Sequence, residues 1–579
     1  KRSVSGEGVF SWTWWPRGKM LMCLPWRQRA WCLFWLLLGI QGSTTRSQGN
    51  EICFSPHANW QNLHLTYEEC CSEDALQGPD CFGSLGGFYT WSFCCQKPAD
   101  SCDWHEILMV ASASEEVRPD ILDRLFTYPV MLREFCCTVP GIHPCWHLYT
   151  FEAALVERPF VQCCFPVLRH LLERETEADW IRTELDREFA SLDRKWTSQE
   201  LQDFQASIPT TPTLGTKPAL LQGHTKPCLL SVRHGDLFHH GLDECCPKHR
   251  KDLEGNDCSY IYAVASALFI LGAVNPLPNM DLLVSPGNQD RIEATVPVFT
   301  RHRPRHRPGG GHILLPMEWQ LSPGQSRKQS VAAIRGGHSE VTSRRKGIFW
   351  RGTTSNCFMS CSISKVSNGE ETWSQCLQDY DCETSLSFSN FLNTPRGRLV
   401  LASQFLDNLD ARFVGISNPV TEEFWDFLVE SNLTDGRVSQ LHETEWSYSI
   451  NLDGTGSGDR IYWQMLMKKV VLVQQSAWVS WLLGPVGSGE NAALLPWEHY
   501  VPVRMDLADM SHQMRWLDEH PEEAEKMGEQ AARWTREFLS YDWILYFLDC
   551  AVRRYAKFHF DSTSLLDVEH AFRFGQSAS

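Results

Sequence analysis

Between Trp446 and Val503 the sequence leaves the chain few choices of fold. Tyr448-Ser-Ile-Asn-Leu-Asp453 alternates apolar and polar residues at the period of a half-buried strand, and Gly454-Thr-Gly-Ser-Gly458 then removes most side chains. Asp459-Arg460 opens a segment that reads as an amphipathic helix, and Val470-Val-Leu-Val473 is a short apolar strand. A strand that ends in bare backbone and turns into a helix is an α/β element, and it also suits an anion. Glycines let peptide N–H groups approach closely, a helix N-terminus favours negative charge, and the guanidinium of Arg460 matches phosphate oxygens. Strand and helix patterns alternate in this way from Ser259 to Phe558.

A second segment has the same character. Gly347-Ile-Phe-Trp-Arg-Gly-Thr-Thr-Ser355 reads as an apolar strand that ends in Arg351, Gly352 and Thr353. After an insertion holding Cys357, Cys361, Cys376 and Cys382, the pattern resumes at Thr394-Pro-Arg396-Gly-Arg398 and at Leu409-Asp-Ala-Arg-Phe-Val-Gly415. Asp379-Tyr-Asp381 has the spacing of a metal-binding DxD, but it lies inside the Cys-rich insertion with no flanking strand pattern and reads as coincidence.

Taken in order, Ile450-Asn-Leu-Asp-Gly-Thr455, Arg460 six residues past Gly454, Val470-Val-Leu472 and Pro496-Trp-Glu-His-Tyr-Val-Pro-Val503 resemble the C-terminal half of glycosyltransferase family 90. That family includes protein O-glucosyltransferases acting on EGF-like repeats and capsule-associated xylosyltransferases. The resemblance covers residues 259–560 and extends to Trp350-Arg-Gly-Thr353 and to Leu277-Pro-Asn-Met-Asp-Leu-Leu-Val284 followed by Thr295-Val-Pro-Val-Phe299. It implies a GT-B-like fold of two Rossmann-like halves, with a UDP-sugar of the glucose or xylose class in the cleft. It further implies inverting transfer of that sugar to a hydroxyl on protein or glycan, with no metal or other cofactor. The nucleotide-sugar residues it implies are Arg351, Gly352, Thr353, Arg396, Asp453, Gly454, Thr455, Gly456, Ser457, Gly458 and Arg460.

The sequence departs from the family at the general base. Asn288 stands at the position of the family's catalytic Asp, and an amide has no useful basicity. Asp290, two residues on, is the carboxylate that a slipped turn would bring to that place, and Asp281 and Glu293 flank the same region. Ser447 also replaces a Lys that relatives carry before the strand Tyr. An active transferase, a catalytically inactive relative that binds sugar or protein, and an adhesive protein acting through its Cys-rich region therefore all stay open.

The rest of the chain frames these segments. A formal charge of -17 in 579 residues offers no broad basic surface, which argues against nucleic acid as a partner. Met22 to Ser43 has a basic segment, a short apolar run and small residues, the layout of a secretory signal peptide. A signal anchor is the other possibility, and no later segment reads as an integral membrane span. Secretion, or residence in the ER or Golgi lumen, is the expected location. Cysteines agree: Cys53 precedes Cys70-Cys71, Cys81 precedes Cys94-Cys95, Cys102 precedes Cys136-Cys137, Cys145 precedes Cys163-Cys164, and Cys228 precedes Cys245-Cys246. Such short units predict disulfides rather than zinc, because CxxC pairs are absent from them.

The expected organisation is an upstream segment and signal peptide at 1–43, a Cys-rich repeat region at 44–166, and a helical and linker segment with a further Cys unit at 167–258. A transferase domain at 259–562 and a tail at 563–579 complete it. Periodicity predicts one or two long amphipathic helices over 167–206, helix over 506–539, and helix again over 543–558. Arg301-His-Arg-Pro-Arg-His-Arg307 reads as a solvated basic loop, with an acidic acceptor as the rival reading. Asn432-Leu-Thr434 is a glycosylation sequon and predicts an exposed loop.

Overall fold

The computed structural model describes residues 13–14, 20–21, 166–174, 177–208, 226–240, 245, 258–285, 294–305, 311–321, 344–355, 358–359, 380–381, 385–416, 420–438, 440–454, 456–476, 478–484, 492–569 and 571–573. The apolar run of the signal peptide, the Cys pairs before residue 166, and Asn288, Asp290, Glu293 and Thr455 lie outside them.

The chain is a mixed α/β structure with two main sheets, compatible with a Rossmann-like arrangement. Helices α1 (Pro166–Leu172), α2 (Asp179–Phe189) and α3 (Ser198–Ser207) precede the first sheet. Three helices thus stand where the periodicity predicts one or two. Thr197 and Glu200 form a reciprocal capping box that starts α3 afresh.

The first sheet contains β1 (Cys228–Arg233), β2 (Asp236–His240), β3 (Met280–Val284), β4 (Val298–Thr300) and β6 (His312–Leu314). β13 (Phe572–Arg573) closes it, in the order β13-β2-β1-β3-β4-β6. β1 runs antiparallel to β2 and β3, whereas β3, β4 and β6 are parallel. The β1–β2 turn takes positive φ at both His234 and Gly235, as a two-residue hairpin requires. The sheet therefore continues upstream of residue 259, where β1 completes the ladder that β3 leaves open, and it recruits β13 from the C-terminal tail against the outer edge of β2. Cys228, at the start of β1, is disulfide-bonded to Cys245, which agrees with the disulfide reading of that unit.

The second sheet is wholly parallel, in the order β8-β7-β9-β10-β12. Its strands are β7 (Arg345–Gly352), β8 (Leu409–Phe413), β9 (Trp446–Asn451), β10 (Val470–Gln474) and β12 (Val501–Val503). Val470 and Leu472 of β10 enter one hydrophobic core, while Val471 and Val473 enter the other. A strand covered on both faces needs an unbroken apolar run, and Val470-Val-Leu-Val473 supplies it. β5 (His302–Pro304) pairs antiparallel with β11 (Trp478–Ser480), so a short ribbon joins the chain leaving the first sheet to the chain leaving the second.

That ribbon corrects the reading of the basic segment over residues 301–305, the part of it that lies within the described residues. Arg301 and His302 are buried, His302 packs edge-on against Trp478, and Arg303 donates to Glu188 of α2 at 2.7 Å. Its first two residues are therefore interior and Arg303 is half-buried, because the strand pairing sets them against β11 and α2 supplies a buried carboxylate.

Four helices matter for the site. After β7 comes α6 (Pro395–Ala402), after β9 the single turn α9 (Ile461–Gln464), and after β12 come α10 (Met510–Glu519) and α11 (Pro521–Phe538). The predicted helix over 506–539 is split at His520-Pro521, since proline lacks the N–H that would continue α10 and is placed at the start of α11. α12 (Tyr541–Phe558) lies close to its predicted bounds. Among the described residues no helix is long and apolar enough to cross a membrane.

Candidate functional site

Strand order in the second sheet reverses at β7. The chain leaves β7 through α6 to β8 on one side, and the next strand, β9, lies on the other. Connections departing in opposite directions open a crevice beyond the carboxyl ends of these strands, where α/β sheets take up ligands. The carboxyl end of β7 is Arg351-Gly352-Thr353, and that of β9 leads into Asp453-Gly454.

Arg396 is delivered there by a capped helix. The Thr394 hydroxyl accepts from Gly397 N at 3.0 Å and donates to Phe391 O at 2.9 Å, and Pro395 occupies the first helical turn. Arg396 consequently sits over the crevice. Its Nε donates to Asp453 O at 2.8 Å and its Nη1 to Thr353 O at 2.9 Å, so one side chain bridges the ends of β7 and β9. Arg460 Nη1 donates to Arg351 O at 2.5 Å and brings a second guanidinium to the same strand end. Neither arginine has a carboxylate partner among the described residues; their recorded bonds go to carbonyl oxygens. Burial, and then repulsion from Arg460, lowers the Arg396 guanidinium from 12.5 to about 9, with Asp453 and Asp459 opposing the fall. It is still cationic at neutral pH, and an anion between the two arginines would offset their mutual repulsion and favour the charged form.

The glycine turn is shaped for that purpose. A Cβ on Gly454 would lie 2.6 Å from Arg396 Nη2 and 2.9 Å from Ser355 Oγ, so only bare backbone fits beside the guanidinium. Gly454 N donates to Gly456 O at 2.9 Å, and Asn451 Nδ2 donates to Gly458 O at 3.0 Å, which together fold the loop back on β9. Ser457 Oγ is a buried hydroxyl without a hydrogen-bond partner among the described residues. An orphaned donor in the same turn whose Gly454 lies against Arg396 points to a ligand bearing oxygen acceptors. The helix following the turn differs from expectation: α9 is one turn long, and Ile461 to Met467 are all buried rather than amphipathic. The segment is packed into the core, and it offers no helix terminus of the length on which anion binding was expected to draw.

Sequence reasoning grouped Arg351 with these residues, and the structure gives its guanidinium other work. Strand alternation sends Trp350 into the core with Leu399 and Val400 of α6, and sends Phe349 and Arg351 to the opposite face. There Arg351 makes a two-pronged ion pair with Asp410 at 2.8 and 3.0 Å and bonds Asp435 at 2.8 Å. Its carbonyl, not its charge, reaches the crevice. Gly352 and Thr353 are brought to the crevice, as are Asp453, Gly454, Gly456, Ser457, Gly458 and Arg460.

Three contributors were missed. Ser355 touches the Gly454 position, Gln474 Oε1 accepts from Asp453 N at 3.0 Å, and Ser476 Oγ contacts the Asp453 carboxylate. Ser355 ends the run Thr353-Thr-Ser355 after β7, Gln474 is the last residue of β10 and Ser476 follows two residues later, and nothing in these short polar runs singles them out. Asp281 is removed from the candidate bases, because its fully buried carboxylate accepts from Ser198 Oγ and Ser231 Oγ at 2.5 Å each, Arg233 Nη2 at 2.7 Å and Leu566 N at 3.0 Å. Among the described residues no cluster of three or more His, Cys, Asp or Glu forms a metal site.

The part of this crevice formed by Arg396, the glycine turn and Arg460 lies in a region similar to a known family. Residues 395–564 match the sequence model of glycosyl transferase family 90. Protein O-glucosyltransferase 3 from Mus musculus and from Homo sapiens are each 33% identical over 95 residues, 16% of this chain and 17% of theirs. Protein O-glucosyltransferase 2 from Danio rerio is 28% identical over 120 residues, 21% of this chain and 22% of its own. The chain thus matches about a fifth of the length of these relatives. The matched region begins at the capped helix that carries Arg396 and runs through β9, the glycine turn, Arg460 and β12, so residues 395–564 are a glycosyl transferase family 90 domain.

Proposed function

We propose that the chain is an inverting glycosyltransferase that moves a sugar of the glucose or xylose class from a UDP-sugar to a hydroxyl of a protein or glycan in the secretory pathway. The observation that carries this reading is the convergence of Arg396 and Arg460, neither engaged by a carboxylate, on a glycine turn at the reversal point of a parallel sheet. The leaving group of such a donor is a diphosphate, and fixed guanidiniums neutralise the charge that develops on it. The relatives' names supply the acceptor class, protein.

In the reaction the acceptor oxygen forms a bond to the anomeric carbon as the bond from that carbon to the diphosphate oxygen breaks. UDP departs with the electron pair, and the acceptor proton passes to a carboxylate. Asp290, six residues beyond the end of β3, is assigned that role, and Arg396 and Arg460 hold the departing diphosphate. Two cations already there make a metal unnecessary to the scheme. A secretory location agrees with the disulfide between Cys228 and Cys245 and with the sequon at Asn432, which is exposed.

Asn288 favours a second reading, a relative that binds the donor and has lost transfer. Ser447 lends it less support. It lies at the start of β9, where its hydroxyl donates to Arg345 O at the start of β7, the end of the sheet away from Arg396. Assay of the purified full-length chain with UDP-glucose and UDP-xylose, reading UDP release with and without protein acceptors, separates the two. The active reading expects release that Asp290→Asn lowers by about 10²–10⁴-fold without changing UDP affinity. Binding of UDP with no release from either sugar establishes the inactive relative instead.

A further inference from the structure

We infer that Ser476 is a positioning residue that holds the carboxylate of Asp453 away from the two arginines and so keeps them open to a diphosphate; this rests on the donor-site reading above. Asp453 and Ser476 are both 4% exposed. Ser476 Oγ lies 2.8 and 2.7 Å from the two carboxylate oxygens of Asp453, and accepts from Trp478 N at 2.9 Å. Its single proton therefore goes to Asp453, while the strand β11 fixes the oxygen that carries it. The backbone of Asp453 is held as well, its N–H by Gln474 and its carbonyl by Arg396 Nε.

This arrangement resolves a conflict built into the turn. A carboxylate beside two guanidiniums would ordinarily fold onto them as a two-pronged ion pair, as Asp410 does with Arg351. Such a pair would occupy the N–H groups that an incoming diphosphate needs. Asp453 instead acts on Arg396 through space, supporting its charge, while its oxygens face Ser476. Removing the Ser476 hydroxyl deprives a buried carboxylate of that donor, and the guanidinium of Arg396, which already feels its charge, can then draw it in.

Variants of the full chain, titrated with UDP by calorimetry, test this role of Ser476. Ser476→Ala should weaken UDP about tenfold, the scale seen when the partner that orients a binding group is removed. Adding Asp453→Asn to Ser476→Ala should restore most of that loss, because the competing charge is gone; a purely structural role for Ser476 predicts no rescue. Ser476→Thr, which keeps the hydroxyl and does not depend on how Ser476→Ala folds, should bind UDP as the unaltered chain does. Unchanged affinity in Ser476→Ala, failure of the rescue, or a loss of about tenfold in Ser476→Thr each overturns the inference while Arg396→Ala still weakens binding at least about tenfold. Absence of UDP binding by the unaltered chain overturns the donor-site reading itself.

Discussion

Arg351 and Arg396 were indistinguishable in the sequence as candidate phosphate ligands, and the fold separates them. Arg396 follows a Thr-Pro start that can be read as a helix N-terminus, so its place at the end of β7 was legible once the helix was recognised. Arg351 is defined by Asp410 and Asp435, which lie 59 and 84 residues away, and no local pattern announces so distant a partner. Arg351→Ala should therefore cost about 1–3 kcal/mol in urea unfolding and leave UDP affinity within about threefold, since the lost interactions are hydrogen bonds between charged groups. A large loss of UDP affinity with unchanged stability would return Arg351 to the donor site. A second residue gives a pH signature. Burial lowers the amine of Lys469 from 10.5 to about 8, Glu443 opposing and Arg344 assisting, while its Nζ donates to Glu443 O at 2.5 Å. Between these values the unfolded chain binds a proton that the folded chain does not, so this residue makes stability rise with pH from about 8 to 10.5. Lys469→Met should flatten that rise in unfolding measured at pH 8 and pH 10, and an identical slope in both proteins would contradict the assignment.

At the scale of elements, periodicity located the strands and misjudged the helix ends. β9 and β10 were readable because alternation and an unbroken apolar run are set by how many faces are covered. The segment after Arg460 was not, because Ile461 to Met467 pack on all sides and a buried turn has no polar face to display. The glycine turn was recognised from composition alone, and the structure supplies the reason for Gly454. Gly454→Ala should fold, since the Cβ would meet the far end of the flexible Arg396 side chain and the Ser355 hydroxyl. Displacing that guanidinium should still weaken UDP about tenfold, and full affinity in the variant would show that the turn does not touch the donor. Thr394→Ala removes the cap that starts α6, with an expected cost of about 1 kcal/mol in unfolding.

For the whole molecule, the sequence pointed to an α/β chain and to the crevice of the second sheet, and it concealed how the parts are tied together. The first sheet recruits β1 and β2 from upstream of the expected transferase region and β13 from the tail, and such long-range ladders leave no trace in periodicity. The ribbon of β5 and β11 was equally hidden, because Arg301 to Arg307 resembles any basic loop until its partners are known. Cys228 and Cys245 close a loop of 17 residues beside the first sheet. Replacing both by Ala should cost about 3 kcal/mol by the chain-entropy argument, read from urea unfolding under non-reducing conditions. The central claim concerns Arg396 and Arg460, and calorimetric titration of the full chain with UDP tests it most directly. Micromolar or tighter binding that falls at least about tenfold in Arg460→Ala, and as far in Arg396→Ala, with the folded state intact, is the result predicted from charge-assisted bonds of about 1.5–3 kcal/mol each. UDP affinity that neither substitution changes would contradict it.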